Sequence, residues 1–266
     1  MSRICKYFDR SKSWYYDTLA TFERVREYEH MIVTAVQEIR RESPCYGIKK
    51  LWHALARQGI KIGRDRLHKI LRKNGLTLPR NYKKVRTSFP GIYDAGFENK
   101  IKNLHVNRPN QVWCTDITYI HTTEGMLFMS AIMDLYSRKI VSYNISNNLK
   151  TEGALDCLNK ALKQVSDPKN IIHHSDHGVQ YCSYRYINTL QRHGLEISFT
   201  GKNHCYDNAT MERFFNTLKH EYGLKGVVRS KKLAKELIRR ALDHYNHVRL
   251  HTNLKYMIPN ELYDVA

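Results

Sequence analysis

Val112-Trp113-Cys114-Thr115-Asp116-Ile117-Thr118-Tyr119-Ile120 is the stretch from which the rest of this chain is best read. Its β-branched and aromatic side chains alternate with a period of two, the pattern of a strand with one face in a core. Asp116 follows its apolar start. A second acid, Asp176, follows another apolar strand pattern, Ile171-Ile172-His173-His174-Ser175. A third, Glu212, ends Asp207-Asn208-Ala209-Thr210-Met211-Glu212 and falls in the first turn of a predicted helix, with 212 − 176 − 1 = 35 residues between the last two acids. Carboxylates at strand ends and on a facing helix can converge on one point. Hard divalent cations take oxygen ligands, and a two-metal site clamps both the attacking and the leaving oxygen of a phosphodiester.

Working outward, 126–133 is an almost continuous apolar run and 139–145 is again strand-like, with Ser137-Arg138 at the turn between them. A helix is expected over 151–165, with Leu155, Leu158, Ala161, Leu162 and Val165 on one face. A short strand at 171–174, a helix over 184–193, a strand over 196–200 and a helix over 208–222 follow. The order β-β-β-α-β-α-β-α predicts an α/β fold, a mixed five-stranded sheet flanked by helices, with its first three strands as a meander. One more helix runs from Lys231 to about Asn246.

The first hundred residues have a different texture. A helical pattern within 1–42 stops at Ser43-Pro44. Ile48, Leu51, Trp52 and Leu55 then mark an amphipathic helix. After the turn Gly59-Ile60-Lys61-Ile62, a further helix starts near Arg64, with Leu67, Ile70 and Leu71 inward and Gly75 placed to cap its end. Two short helices across a tight turn form a helix-turn-helix candidate. The second exposes Arg64, Arg66, Lys69, Arg72 and Lys73, side chains suited to phosphates or base edges in a major groove. The plainer reading is a helical hairpin with a solvated basic surface. Residues 78–108, punctuated by Pro90-Gly91 and Arg108-Pro109, read as a basic linker, with Lys83, Lys84 and Arg86 set to track a DNA backbone. The expected segments are therefore 1–42, 43–77, 78–108, 109–225 and 226–266.

Charge points to a polyanionic partner. The 266 residues hold 44 Lys+Arg against 25 Asp+Glu, a formal +19. Such an excess draws nucleic acid by counterion release. No stretch is long and apolar enough to span a membrane, and the amino terminus lacks the apolar run of a signal peptide. Six scattered cysteines without a Cys-x-x-Cys pair argue against a zinc module and fit a reducing cytoplasm.

Several motifs carry a resemblance. Trp113-x-Thr115-Asp116-Ile117-Thr118-Tyr119, Asp134-x-x-Ser137-Arg138, His174-Ser175-Asp176-x-Gly178-x-Gln180-Tyr181 and Asp207-Asn208-Ala209-x-x-Glu212-x-Phe214-Phe215-x-x-Leu218-Lys219 resemble the integrase core of bacterial insertion-sequence transposases. More narrowly they resemble the OrfB-type, DDE catalytic protein within the retroviral-integrase superfamily. Tyr245-Asn246-x-x-Arg249 with Pro259 is similar to that family's C-terminal signature, and 46–76 to its helix-turn-helix. The resemblance implies an RNase H-like fold and transfer of DNA strands at insertion-sequence ends. Asp116 and Asp176 would hold one Mg²⁺ or Mn²⁺ between them and Glu212 would complete a second, two ions per site. It also implies double-stranded DNA partners (terminal repeats and target), a homo-oligomer on DNA, and an upstream-frame OrfA product or fusion, hence a nucleoid-associated protein in the cytoplasm.

Other residues are read from their neighbours. Lys219 lies seven positions after Glu212 on the same helix face, where it would meet a phosphate near the metal. Tyr245 and Arg249 either pack against the catalytic domain or contact DNA, and Arg249 is grouped with the DNA contacts. His174 is expected to support the carboxylates from behind, and Asn208 is as readily a helix cap as a participant in the site. His177 stands where the family usually has arginine. Asp134 and Arg138 are expected to fix the turn after the second strand. Two other functions compete: a nuclease that hydrolyses without joining, and a DNA-binding protein with an inactive core.

Overall fold

The computed structural model describes residues 5, 7–79, 96–201 and 208–265. The chain divides into two compact units, residues 1–83 and 84–266. Lys83, Lys84 and Arg86 of the expected linker lie outside the described residues.

In the first unit, α1 (Lys12–Glu42) opens on Ser11, whose hydroxyl accepts from the Trp14 N–H at 3.1 Å. It buries only Ile32, Ala35 and Val36, all in its second half. They meet Leu51 and Leu55 of α2 (Ile48–Arg57) and Leu67, Ile70 and Leu71 of α3 (Arg64–Lys73), so the small helical core has three helices rather than two. Gly75 takes a positive φ of 67° and lets the Leu76 N–H return to the Leu71 carbonyl at 2.8 Å. A side chain would resist that left-handed turn, which is why glycine ends α3.

The second unit is built on a five-stranded sheet in the order β3-β2-β1-β4-β5. β1 (Val112–Thr122), β2 (Gly125–Asp134) and β3 (Ile140–Ser146) form the antiparallel meander; β4 (Ile172–Ser175) and β5 (Glu196–Phe199) add in parallel on the other side of β1. Alternation along β1 sends Val112, Cys114 and Ile120 to one face and Trp113 to the other. The first face packs on α6 (Ala209–Glu221) and α7 (Lys231–His247), the second on α4 (Thr151–Leu162) and α5 (Tyr184–Arg192).

The segment 226–266 belongs to this second unit. Ala234, Ile238, Ala241, Leu242 and Tyr245 of α7 share one buried cluster with β1, β2 and α6. Each large apolar side chain there contributes about 1.5–3 kcal/mol of burial. A short helix, α8 (Pro259–Asp264), closes the chain, and its Tyr263 hydroxyl donates to the Asn110 side-chain oxygen at 2.9 Å. The same oxygen accepts from the Trp113 indole at 3.0 Å, so one asparagine joins the last helix to the first strand.

Candidate active site

Asp116 sits inside β1, opposite Ala131 of β2, within the strand pattern read over 112–120. The parallel partner β4 pairs with β1 only over Val112–Cys114, so the crevice opens one residue before Asp116 while β2 continues to support it. A carboxylate can thus be rigidly held and still reachable. Alternation places it on the Cys114 face, the face that α6 covers. Asp176 follows β4 directly, and Glu212 occupies the first turn of α6.

The charges converge. Burial pushes the Asp116 carboxyl up to about 7; the neighbouring charges of Asp176 and Glu212 push the same way, while its hydrogen bond from the Ile117 N–H (2.7 Å) and the Lys219 ammonium oppose them. Burial also raises Asp176, against the Gly178 N–H (3.1 Å) and His177. Gly178 must approach closely: a Cβ there would lie 3.0 Å from the same Asp176 oxygen. Repulsion among carboxylates in a partly dry crevice is what a bound cation relieves. Among the described residues no three His, Cys, Asp or Glu side chains are already gathered as a ligand set. Residues 202–207, which lead into the Glu212 helix and include Asp207, lie outside the described residues.

Several neighbours brace these acids. The Asn208 amide N–H donates to the Thr115 carbonyl at 3.2 Å and makes no capping bond to α6, so it ties the start of the helix to the strand residue before Asp116. The Thr115 hydroxyl faces the other way, bonding the Ala131 carbonyl at 3.0 Å and meeting the Tyr181 hydroxyl at 3.2 Å. His174 is fully buried with Nδ1 at 2.9 Å from the Ser198 hydroxyl, linking β4 to β5 behind Asp176. His173 points to the opposite face, against the Tyr186 hydroxyl at 3.1 Å, and burial lowers its pKa to about 3. His177 stacks on Phe199 with its Nε2 at 2.8 Å from the Thr200 carbonyl.

Asp134 accepts from the Ser137 N–H (2.8 Å), the Ser137 hydroxyl (2.6 Å) and the Asn110 N–H (2.8 Å), and so builds the β2–β3 turn. Arg138, in that turn with φ of 64°, donates to the Thr210 hydroxyl at 3.0 Å. This link reaches the first turn of α6, two residues from Glu212. The sequence placed Arg138 in the turn but carried no sign of its partner 72 positions away.

The expected DNA contacts sort unevenly. Arg64, Arg66, Lys69, Arg72 and Lys73 are all exposed on α3. Arg64 pairs with Asp65 at 2.9 Å, Lys73 with Glu29 at 2.8 Å, and Arg66 lies 4.8 Å over the Tyr28 ring. Steps of 100° per residue put Lys69 and Arg72 opposite the buried Leu67, Ile70 and Leu71. Arg249 is a correction. It is only 8% exposed, its Nε and one terminal nitrogen hold both Glu221 oxygens at 2.8 and 2.7 Å, and its remaining nitrogen faces His251 at 3.4 Å. A guanidinium so committed packs α6 against the segment after α7 and does not face DNA.

Comparison with known proteins decides the family. Residues 106–205 match the integrase core domain family, 193–259 match a second integrase core domain family, and 27–84 match an HTH-like domain. An uncharacterized 31 kDa protein of insertion element IS600 from Shigella sonnei is 33% identical, covering 96% of both chains. The chain belongs to the insertion-sequence transposases with an integrase core. The transposase InsF for insertion sequence IS3A of Escherichia coli is 34% identical across 76% of this transposase and 70% of that protein. The transposase of element IS904 from Lactococcus lactis is 32% identical across 85% and 95%. In a simian T-cell lymphotropic virus intasome, a chain 16% identical matches the fold with a TM-score of 0.51, over 80% of this transposase and 70% of that chain. Among the described residues no helix is long and apolar enough to cross a membrane.

Proposed function

We propose that this transposase cuts and joins DNA at the ends of its insertion sequence, with Asp116, Asp176 and Glu212 as its reactive centre. The observation that carries the reading is the convergence of two further carboxylates, Asp176 and Glu212, and one ammonium, Lys219, on the half-buried Asp116 of the central strand. An all-oxygen, like-charged set of this kind suits hard divalent cations, Mg²⁺ or Mn²⁺. Asp116 and Asp176 would hold one ion and Glu212 would share in a second. Held there, such ions would supply activation of a water or a DNA 3′-hydroxyl and stabilisation of the departing oxygen.

The rest is done by the chain itself. β1 and β4 fix the two aspartates. Asn208 and Arg138 fix the start of the helix that carries Glu212. Lys219 offers one cation to the scissile phosphate from the same helix face. Phosphoryl transfer gains mostly from positioning and charge neutralisation, so no covalent protein intermediate is required. Lys69 and Arg72 on α3 supply contacts to the transposon end, in a homo-oligomer that brings two ends together.

The test is a reaction with labelled DNA bearing the element's terminal repeats and Mg²⁺, using the 266-residue chain and its fusion to an upstream OrfA-type product. Joined products that disappear with Asp116→Asn, Asp176→Asn and Glu212→Gln support the proposal. Hydrolysis without joining would replace it with the nuclease reading, and binding without chemistry with the inactive core.

A further inference from the structure

A groove runs along the β3 edge of the sheet, two strands away from β1, walled by α4 and the residues just after it on one side and by α7 on the other. Seven lysine and arginine side chains line it against two carboxylates. The whole chain has 44 against 25, so the groove is about twice as biased toward positive charge. Both acids are already engaged: Glu236 with Arg239 and Arg240 at 2.9 and 2.7 Å, and Asp243 with His247 at 3.1 Å. Lys163, Lys232 and Lys235 are exposed and enter no ion pair among the described residues.

Two further observations narrow the occupant. Lys232 and Lys235 stand near the amino-terminal end of α7, whose first turn has no acidic residue of its own, although Glu124 already accepts from the Lys231 N–H there at 2.8 Å. Two lysines close to the positive end of a helix dipole favour a bound anion beyond that one carboxylate. The free edge of β3 is also stoppered by side chains. Asn246 exchanges two bonds with Ile140 (2.9 and 3.0 Å), Gln164 donates to the Val141 carbonyl at 2.8 Å, and Lys160 to the Tyr143 carbonyl at 3.4 Å. A strand from a second copy would have to break those bonds before it paired.

We propose that this groove holds the sugar-phosphate backbone of a second DNA segment, separate from the DNA that meets Asp116. Contact is through phosphates, so it is independent of base sequence and steeply salt-dependent.

The test measures binding of a duplex of arbitrary sequence by fluorescence anisotropy over a salt series, without divalent ions. Chemistry at the carboxylates plays no part in that readout, so failure of the joining assay leaves it intact. Lys163→Gln, Lys232→Gln and Lys235→Gln together should lower the slope of log affinity against log salt by about 2–3, near 0.9 for each lost phosphate contact. The matched exposed triple Lys102→Gln, Lys169→Gln and Lys225→Gln should lower it by less than about 1. Arginine at the three groove positions should keep the original slope. Equal losses from both glutamine triples, or no loss from the groove triple, would overturn the assignment.

Discussion

The two ends of α6 treat a glutamate in opposite ways. At the amino end, Glu212 is exposed and adds its charge to Asp116, which burial and Asp176 already hold up to about 7. At the carboxyl end, Glu221 sits where the helix dipole disfavours an anion, and Arg249 compensates with two hydrogen bonds of 2.7 and 2.8 Å. One end keeps its repulsion and the other is fully paired. The difference separates a site waiting for a cation from a joint that holds the fold.

The paired end should be the costlier to break. Arg249→Met leaves Glu221 partly buried without its partner, and loss of one member of such a pair costs about 3–5 kcal/mol. Thermal unfolding should show most of that loss recovered in Arg249→Met with Glu221→Leu. A single variant as stable as the wild type would mean that the carboxyl end is not a structural joint.

Arg138 connects the regions, since it reaches the first turn of α6 from the β2–β3 turn. Arg138→Ala should shift Glu212 and slow joining by about 10–100-fold, in line with the cost of small displacements in a positioned site. The effect should fall on turnover, with little change in DNA affinity at fixed salt. Equal losses in affinity and turnover would instead make Arg138 a DNA contact.

The unpaired end should behave as a defect until it is filled. Asp116 has a folded pKa above its ordinary value, so the folded chain binds more protons than the unfolded chain between about pH 4 and 7. Stability therefore falls as pH rises through that window and stays lower above it. Asp116→Asn removes the dependence and should stabilise the metal-free chain at pH 8 by about 1 kcal/mol, after allowance for solvent access, or roughly 2–4 °C. A melting temperature that drops in this variant would show that Asp116 is not under repulsion.

The smallest effect belongs to the helical unit. Lys69→Gln with Arg72→Gln should reduce the salt dependence of binding to the element's ends by about 1–2 in slope. Arg66→Gln, which loses a ring contact with Tyr28, should change it less.

What was legible in the sequence follows the range of the interactions. The strand around Asp116 shows itself through alternation, and α2 and α3 through apolar spacing and Gly75, because these signals lie within a few residues. Glu212 was legible as the acid in the first turn of a helix, and its role came from resemblance to the transposase family. Arg249 was misread because a lone arginine looks the same whether it meets a phosphate or Glu221, 28 residues away. The Arg138–Thr210 link and the Asn208–Thr115 bond are equally remote in the chain, and α8 is too short for a periodic signal. Asp116 lies within the alternating pattern of 112–120, but nothing local signals that the β4 rungs end at Cys114 while β2 continues to support the backbone beyond them.

The most direct measurement is thermal unfolding at pH 8 with and without Mn²⁺, for the wild type and Asp116→Asn. Ligand that binds only the folded chain raises its stability by mass action. The account predicts that Mn²⁺ raises the melting temperature of the wild type, while Asp116→Asn starts higher and gains almost nothing. Equal gains in both proteins, or none in the wild type, would contradict a cation site built on the repulsion at the amino end of α6.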